Sequence, residues 1–202
     1  MVNEMEKRVL GAIFCLRLSG SGSTLALISK RLGVESKCVV EVVDRLEARR
    51  HVKKLGKAIV LTSEGRKAIK VVFIGGGFEV IHRGHLYTIE KARGLGDLLV
   101  VSVARDSTIK KRKGRSPVAE EKDRARLVSS LRSVDLALLG VEGDIYTTLE
   151  RVKPDIVALG YDQYHLEADI EKEAQSRGLN LRVVRLDSPF PKIKTSALLN
   201  ET

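Results

Sequence analysis

The stretch Val71 to Glu90, VVFIGGGFEVIHRGHLYTIE, constrains this chain more than any other. An apolar run of β-formers, Val71 to Ile74, leads into Gly75, Gly76 and Gly77. Phe78 and Glu79 follow, then His82-Arg83-Gly84-His85, and from Leu86 a helical pattern is clear. Strand, glycine turn and helix together bring backbone N–H groups and a helix N-terminus up to a phosphate. Two imidazoles at that helix start add donors that can follow charge as it develops on phosphate oxygen. The residues leave two other uses of the histidines open. One is a metal pair, for which no third ligand lies near; the other is structural.

Strand and helix patterns alternate from there on. Asp97 to Ala104 is a continuous apolar run, as expected of a strand buried on both faces. Helical patterns over Glu120–Leu131, Ile145–Val152 and Leu166–Arg177 separate short strands at Leu136–Leu139, Asp155–Leu159 and Leu181–Arg185. A last helix starts near Thr195-Ser196. The expectation is an α/β fold, a doubly wound parallel (Rossmann-like) sheet, with the site at the carboxyl ends of its strands. Candidate segments fall at those ends. After the second strand comes Asp106 with a basic run from Lys110 to Arg115, either a polyphosphate-binding segment or an exposed charged helix. After the fourth comes Gly160-Tyr161-Asp162-Gln163, with Tyr161 and Asp162 able to meet a ribose or base. Last is Lys192-Ile193-Lys194-Thr195-Ser196, hydroxyls and lysines at a helix start.

The first third of the chain reads differently. Helical patterns run over Glu4–Leu18, a short piece after Thr24, and Ser36–Arg50; two strands then flank Gly56-Lys57. Residues 1–70 carry 15 Lys and Arg against 7 Asp and Glu, net +8, whereas the whole chain is +10. The basic excess therefore belongs to the first part, and the prolines all lie in the second. The boundary is set at 1–68 and 69–202. With 43% apolar and 31% charged residues the chain can build a core and is not a disordered type. No apolar run approaches the ~18–20 residues that span a bilayer. The N-terminus lacks a signal-peptide pattern, so a cytoplasmic protein is expected. Cys15 and Cys38 read as buried small apolar residues, and His51 and His165 as surface residues.

The segment Gly76-Gly77-Phe78-Glu79-Val80-Ile81-His82-Arg83-Gly84-His85 resembles the G-T-F-D-x-x-H-x-G-H signature of the nucleotidyltransferase superfamily of cytidylyl- and adenylyltransferases. Gly77 stands for Thr and Glu79 for Asp. Ile193-Lys194-Thr195-Ser196 is similar to that family's I-S-T-S motif, with Lys194 for Ser; Pro189 and Phe190 occupy the place of its upstream arginine. VARDSTIKKRKGRSP, LRSVDLALLG and VKPDIVALGYDQ resemble the archaeal FAD synthases, which join FMN to ATP. The resemblance implies in-line attack of a substrate phosphate on the α-phosphorus of ATP. His82 and His85 would contact the triphosphate, Lys111 and Lys113 bracket it, and Arg124 or Arg132 hold β/γ oxygens. Thr195 and Ser196 would cap the pyrophosphate, with Lys194 supplying charge. Asp106, Gly160 and Asp162 would face ribose or base, and Mg²⁺ would bridge phosphates. Gly76, Gly77, Phe78, Glu79 and Gly84 would shape the nucleotide-binding turn. A cytidylyltransferase using CTP, or an adenylyltransferase acting on another phosphorylated small molecule, remains an alternative.

Three helices, a two-stranded wing and the LTSEGR ending of residues 1–68 resemble a winged helix-turn-helix. That resemblance implies DNA contacts from Lys37, Arg45 and Arg49 on the third helix and Lys53, Lys54 and Lys57 on the wing. A homodimer, or a regulator whose transferase part senses nucleotide, would also suit such an architecture.

Overall fold

The computed structural model describes residues 1–142, 144–193 and 195. They form two compact units, Met1–Lys70 and Val71–Thr202. In the first, helices α1 (Glu4–Leu18), α2 (Leu25–Leu32) and α3 (Ser36–Ala48) precede an antiparallel hairpin of β1 (Val52–Leu55) and β2 (Ala58–Leu61), then α4 (Ser63–Lys67). Asn3 and Glu6 form a reciprocal cap at the start of α1. Thr24 and Thr62 cap α2 and α4. Val9, Leu10, Ile13, Ile28, Val43 and Leu46 make the centre of this core. Cys38 is exposed on α3 while Cys15 is buried, so only one of the two cysteines has the expected environment. Val39, Val42, Val43 and Leu46 take the buried stripe of α3, which turns position 38 outward.

The second unit is a five-stranded parallel sheet in the order β5-β4-β3-β6-β7. Its strands are β3 (Val71–Gly76), β4 (Leu98–Val103), β5 (Leu136–Leu139), β6 (Ile156–Leu159) and β7 (Arg182–Arg185). Helices α5 (Arg83–Arg93), α6 (Asp106–Lys113), α7 (Glu121–Ser129), α8 (Ile145–Val152) and α9 (Glu167–Ser176) connect them. The β4 side chains are buried along its whole length, and a cluster including Val72, Ile74, Ile89, Leu99, Val101, Val128 and Ala158 fills the core beside it. The basic run after β4 is a charged helix as far as Lys113, one of the two forms expected from the sequence. Asp106 sits in its first turn, its lysines gather in its last, and Gly114 closes it in the left-handed conformation at φ 69°.

Chain order reverses at β3, which lies between β4 and β6. β3 pairs with β4 from Val71↔Leu98 to Gly76↔Val103. With β6 it pairs only at Val72↔Ile156 and Phe73↔Val157. Beyond Phe73 the two strands part, which opens a crevice at the switch point where doubly wound sheets bind ligands. At the amino edge Asp135 and Asp155 cross-link strand starts, accepting from Leu99 N at 2.8 Å and Val71 N at 2.6 Å.

Candidate active site

The turn leaving β3 is built around Phe78. Its backbone is left-handed, φ 50°, a conformation uncommon outside glycine, yet its ring is 6% exposed and packs in the core. Gly76 makes this possible, because a Cβ there would lie 2.9 Å from the Phe78 ring. At Gly77 a Cβ would meet nothing nearer than Ile109 Cδ1 at 3.7 Å, so the missing threonine is a chemical departure rather than a steric one.

The chain then enters α5 through His82, the residue that caps it. His82 Nδ1 accepts from His85 N at 3.4 Å, so the neutral ring carries its proton on Nε2, 3.5 Å from Thr195 Oγ1. A Cβ at Gly84 would come within 3.1 Å of the His82 ring; glycine leaves room for the ring to fold back over the helix start. The two imidazoles stack with centroids 3.9 Å apart, and Phe78 backs His85 at 5.3 Å. Burial lowers both pKa values. That of His85 falls to about 4, first through burial and then through the His82 ring, against the pull of the Asp162 carboxylate and the Val80 carbonyl. Both rings are therefore neutral at pH 7. The buried His85 Nδ1 has no well-aligned hydrogen bond among the described residues.

Glu79 has a fully buried carboxylate that binds two cations, Lys113 and, at 2.7 Å, Arg115. Burial alone would raise its pKa, but Arg115 and Lys113 outweigh it and hold the group below its usual value. Lys113, expected on the phosphates, is thus paired with the turn after β3, while Lys111 is exposed on α6. Arg115, read only as part of the basic run that could face a polyphosphate, sits on Glu79 as well.

Arg124 corrects another expectation. It is completely buried and donates to the carbonyls of Ala119 at 3.0 Å, Ala104 at 2.8 Å and Gly77, and to Asp106 Oδ1 at 2.6 Å. It joins the ends of β3 and β4 from below instead of reaching outward. Asp106 is correspondingly engaged: its other oxygen accepts from Glu121 N at 3.2 Å. Arg132 is not brought to the site. It lies in the turn between α7 and β5, which is the amino edge of a parallel sheet, opposite the histidines.

Across the crevice, the turn after β6 is tied to β3. Gln163 Nε2 donates to the Gly75 carbonyl at 2.8 Å, and its Oε1 accepts from Gly160 N at 3.2 Å. Arg185 at the end of β7 fixes the same turn. It donates to the carbonyls of Gly160 (3.2 Å), Gln163 (2.8 Å) and His165 (2.5 Å), and it is anchored by Glu167. Gln163 belongs to the candidate turn but carried no role of its own in the sequence reading, and Arg185 was not expected at the site. Asp162 lies close enough to act on both histidines. Tyr161 gives its hydroxyl to the Pro191 carbonyl at 2.7 Å, bracing the C-terminal segment. That segment runs along α5: Asp187 accepts from Tyr87 at 3.2 Å, and Phe190 sits under Arg83 at 4.6 Å. Phe190 takes the place of the absent arginine. Lys194 and Ser196 lie outside the described residues. His165 is partly buried against Tyr164, contrary to its surface reading, and His51 has a buried Nδ1.

In the first unit, three of the six cations expected on DNA are paired internally. Arg49 binds the buried Glu6 through two hydrogen bonds, 3.0 and 3.2 Å, and Arg45 approaches the same carboxylate at 3.7 Å. Lys54 bridges Asp44 at 2.7 Å and Glu47 at 2.9 Å. Lys37, Lys53 and Lys57 are exposed. No helix among the described residues is long and apolar enough to cross a membrane.

Residues 73–200 match the cytidylyltransferase-like family. The FAD synthase of Thermoplasma acidophilum is 42% identical over 130 residues, 64% of this chain and 91% of its own length. That of Pyrococcus horikoshii is 43% identical over 136 residues, covering 66% and 91%. The crystal structure of the lipopolysaccharide core biosynthesis protein from Thermoplasma volcanium aligns with a TM-score of 0.57 at 41% identity, over 59% of this chain and 98% of that one. The family match takes in well over half of the sequence and the whole switch-point crevice, so the chain belongs to the cytidylyltransferase-like family of nucleotidyltransferases.

Proposed function

We propose that the protein is an FMN adenylyltransferase, an FAD synthase. The stacked, neutral His82–His85 pair at the start of α5, at the crevice where the sheet reverses, carries this reading. The names of the relatives support the choice of substrates. A phosphate oxygen of FMN attacks the α-phosphorus of ATP. A new P–O bond forms, the bond to the β-phosphate breaks, and pyrophosphate leaves with the electron pair. The attacking phosphate is already ionised at neutral pH, so no general base is required; the protein supplies position and charge neutralisation. His82 Nε2–H, aimed beside Thr195, and His85 donate to phosphate oxygens as charge moves onto the leaving group. Lys111 on α6 attracts the triphosphate. Lys113 and Arg115 stay on Glu79 and keep its carboxylate neutralised beside the phosphates. Arg124 ties the ends of β3 and β4, and Gln163 ties the turn after β6 to β3, which fixes the walls of the site. Among the described residues no three His, Cys, Asp or Glu side chains cluster into a metal cage. Mg²⁺, which keeps several waters and is carried by phosphates with one or two carboxylates, would neutralise phosphate charge when bound, and Asp162 is the carboxylate that would hold it.

The test is pyrophosphate release from purified protein with Mg²⁺, FMN, and ATP or CTP in parallel, with the product identified by mass. FAD with ATP alone is expected. Release with CTP, or with a different phosphorylated acceptor but not FMN, would replace the assignment.

A second reading concerns residues 1–70, which we propose to be a winged helix-turn-helix that binds duplex DNA. Its support is the net charge of +8 together with exposed Lys37, Lys53 and Lys57 on α3 and the β1–β2 hairpin.

A further inference from the structure

In the second unit the aromatic side chains are mostly spoken for. Phe73 and Phe78 are buried, Tyr87 packs edge-on against Phe190, Tyr161 is held by Pro191, and Tyr146 lies under Arg177. Tyr164 is different. Its side chain is 66% exposed, in the turn that leaves the carboxyl end of β6, and Leu166 beside it is 63% exposed. An exposed tyrosine on a surface turn normally moves freely, but this one is held in place. Arg112 of α6 lies over its ring, 4.6 Å from the centroid, and the His165 ring packs 4.0 Å from it. Arg185 fixes the backbone on either side through the Gln163 and His165 carbonyls. Arg112 comes from the helix after β4 and Tyr164 from the turn after β6, so their contact spans the top of β3, where the histidines stand. No part of this arrangement adds to the core. An exposed tyrosine ring braced by Arg112 and His165 at the rim of a phosphate site is suited to meet a planar ring system.

Resting on the FMN adenylyltransferase reading, we infer that Tyr164 and Arg112 form the platform for the isoalloxazine ring of the flavin acceptor. Adenine is also planar, but chain length separates the two. The five-carbon ribityl chain of FMN carries its ring further from the reacting phosphate than ribose carries adenine. Tyr164 is exposed and follows in the chain the Gly160–Asp162 turn whose carboxylate acts on the histidines. The Arg112 guanidinium offers donors to the carbonyls at the pyrimidine end of the flavin.

The test compares wild type with Tyr164→Ala and Tyr164→Phe. FMN binding is read by quenching of flavin fluorescence, and KM for FMN and for ATP is measured separately. Loss of one stacking side chain should weaken FMN binding and raise its KM by about tenfold, with KM for ATP within about twofold and Tyr164→Phe close to wild type. An increase confined to KM for ATP would make Tyr164 an adenine platform, and unchanged FMN binding would leave it a bare surface residue; either overturns the inference. The two proposals fail separately. Wild type that binds FMN through Tyr164 without forming FAD overturns the enzyme assignment alone, and wild type that binds no FMN overturns both.

Discussion

His85 is where local chemistry and fold meet most directly. It stands behind His82 and against Phe78, so burial keeps it neutral, with a pKa of about 4 against 6.5 for an open imidazole. Two consequences follow. Under the proposed function it acts as a neutral N–H donor, and removing one such donor costs ~2.7–4 kcal/mol of barrier. His85→Ala should therefore lower kcat by about a hundredfold or more while leaving the circular dichroism spectrum unchanged. In stability the sign comes from proton linkage. The folded pKa lies below the unfolded one, so the unfolded chain binds more protons between them. The contribution is intact above about 6.5 and is lost as pH falls toward 4. Glu79, also depressed, loses its contribution in the same direction as its carboxylate protonates. The urea midpoint should fall from pH 7 to pH 5, and less steeply in His85→Ala. The histidine motif was legible because it is local: four consecutive residues, with the donor and the helix it caps in one stretch. Arg115 on Glu79 was not legible, since that pair is 36 residues apart and the sequence shows only one more cation in a basic run.

At the level of elements, one buried arginine sets the geometry of the carboxyl edge. Arg124 of α7 links the Gly77 turn after β3, the Ala104 carbonyl after β4 and Asp106 at the head of α6. Taking away one partner of a buried, hydrogen-bonded charge costs about 3–5 kcal/mol, because the groups left behind have no water to replace it. Arg124→Ala should lower stability by about that amount in urea unfolding, a loss that a phosphate-contacting surface arginine would not produce. Strand and helix positions were largely apparent from alternation and from runs such as DLLVVSVA. What alternation could not reveal is which edge of the sheet a connecting residue occupies. Arg132 looked as eligible as Arg124 until the parallel order put it at the amino end. The basic run after β4 became a helix because its charges happen to complement a helix dipole, which a count of lysines does not disclose.

For the molecule as a whole, charge is divided unevenly between the two units, and the fold shows how much of it is available. Arg45 and Arg49 serve the buried Glu6, and Lys54 pairs on the surface with Asp44 and Glu47. If Lys37, Lys53 and Lys57 supply the phosphate contacts, three of them give a slope of log K against log salt of about −2.7. Titration of fluorescent duplex DNA from 50 to 200 mM salt should show that slope. The triple alanine variant should bind weakly and with a flatter line, while FAD formation stays at the wild-type rate. Salt-independent binding, or no binding at 50 mM, would remove DNA as the partner. The net +8 of residues 1–70 counts every cation equally; only folding distinguishes those paired with Glu6, Asp44 and Glu47 from Lys37, Lys53 and Lys57.

The C-terminal segment described above joins the site without joining the sheet. Its described residues are held by side chains: Tyr87 on Asp187, Arg83 on Phe190, Tyr161 on Pro191, and the His82 contact with Thr195. Such an attachment can be peeled off one contact at a time, whereas a strand in the sheet resists until its neighbours separate. Lys192 stands exposed within it. Limited trypsin digestion should therefore cut there first, and a triphosphate bridging His82 and Thr195 should slow that cut. The tail would then report on site occupancy as an intrinsic footprint, with no label and no turnover required.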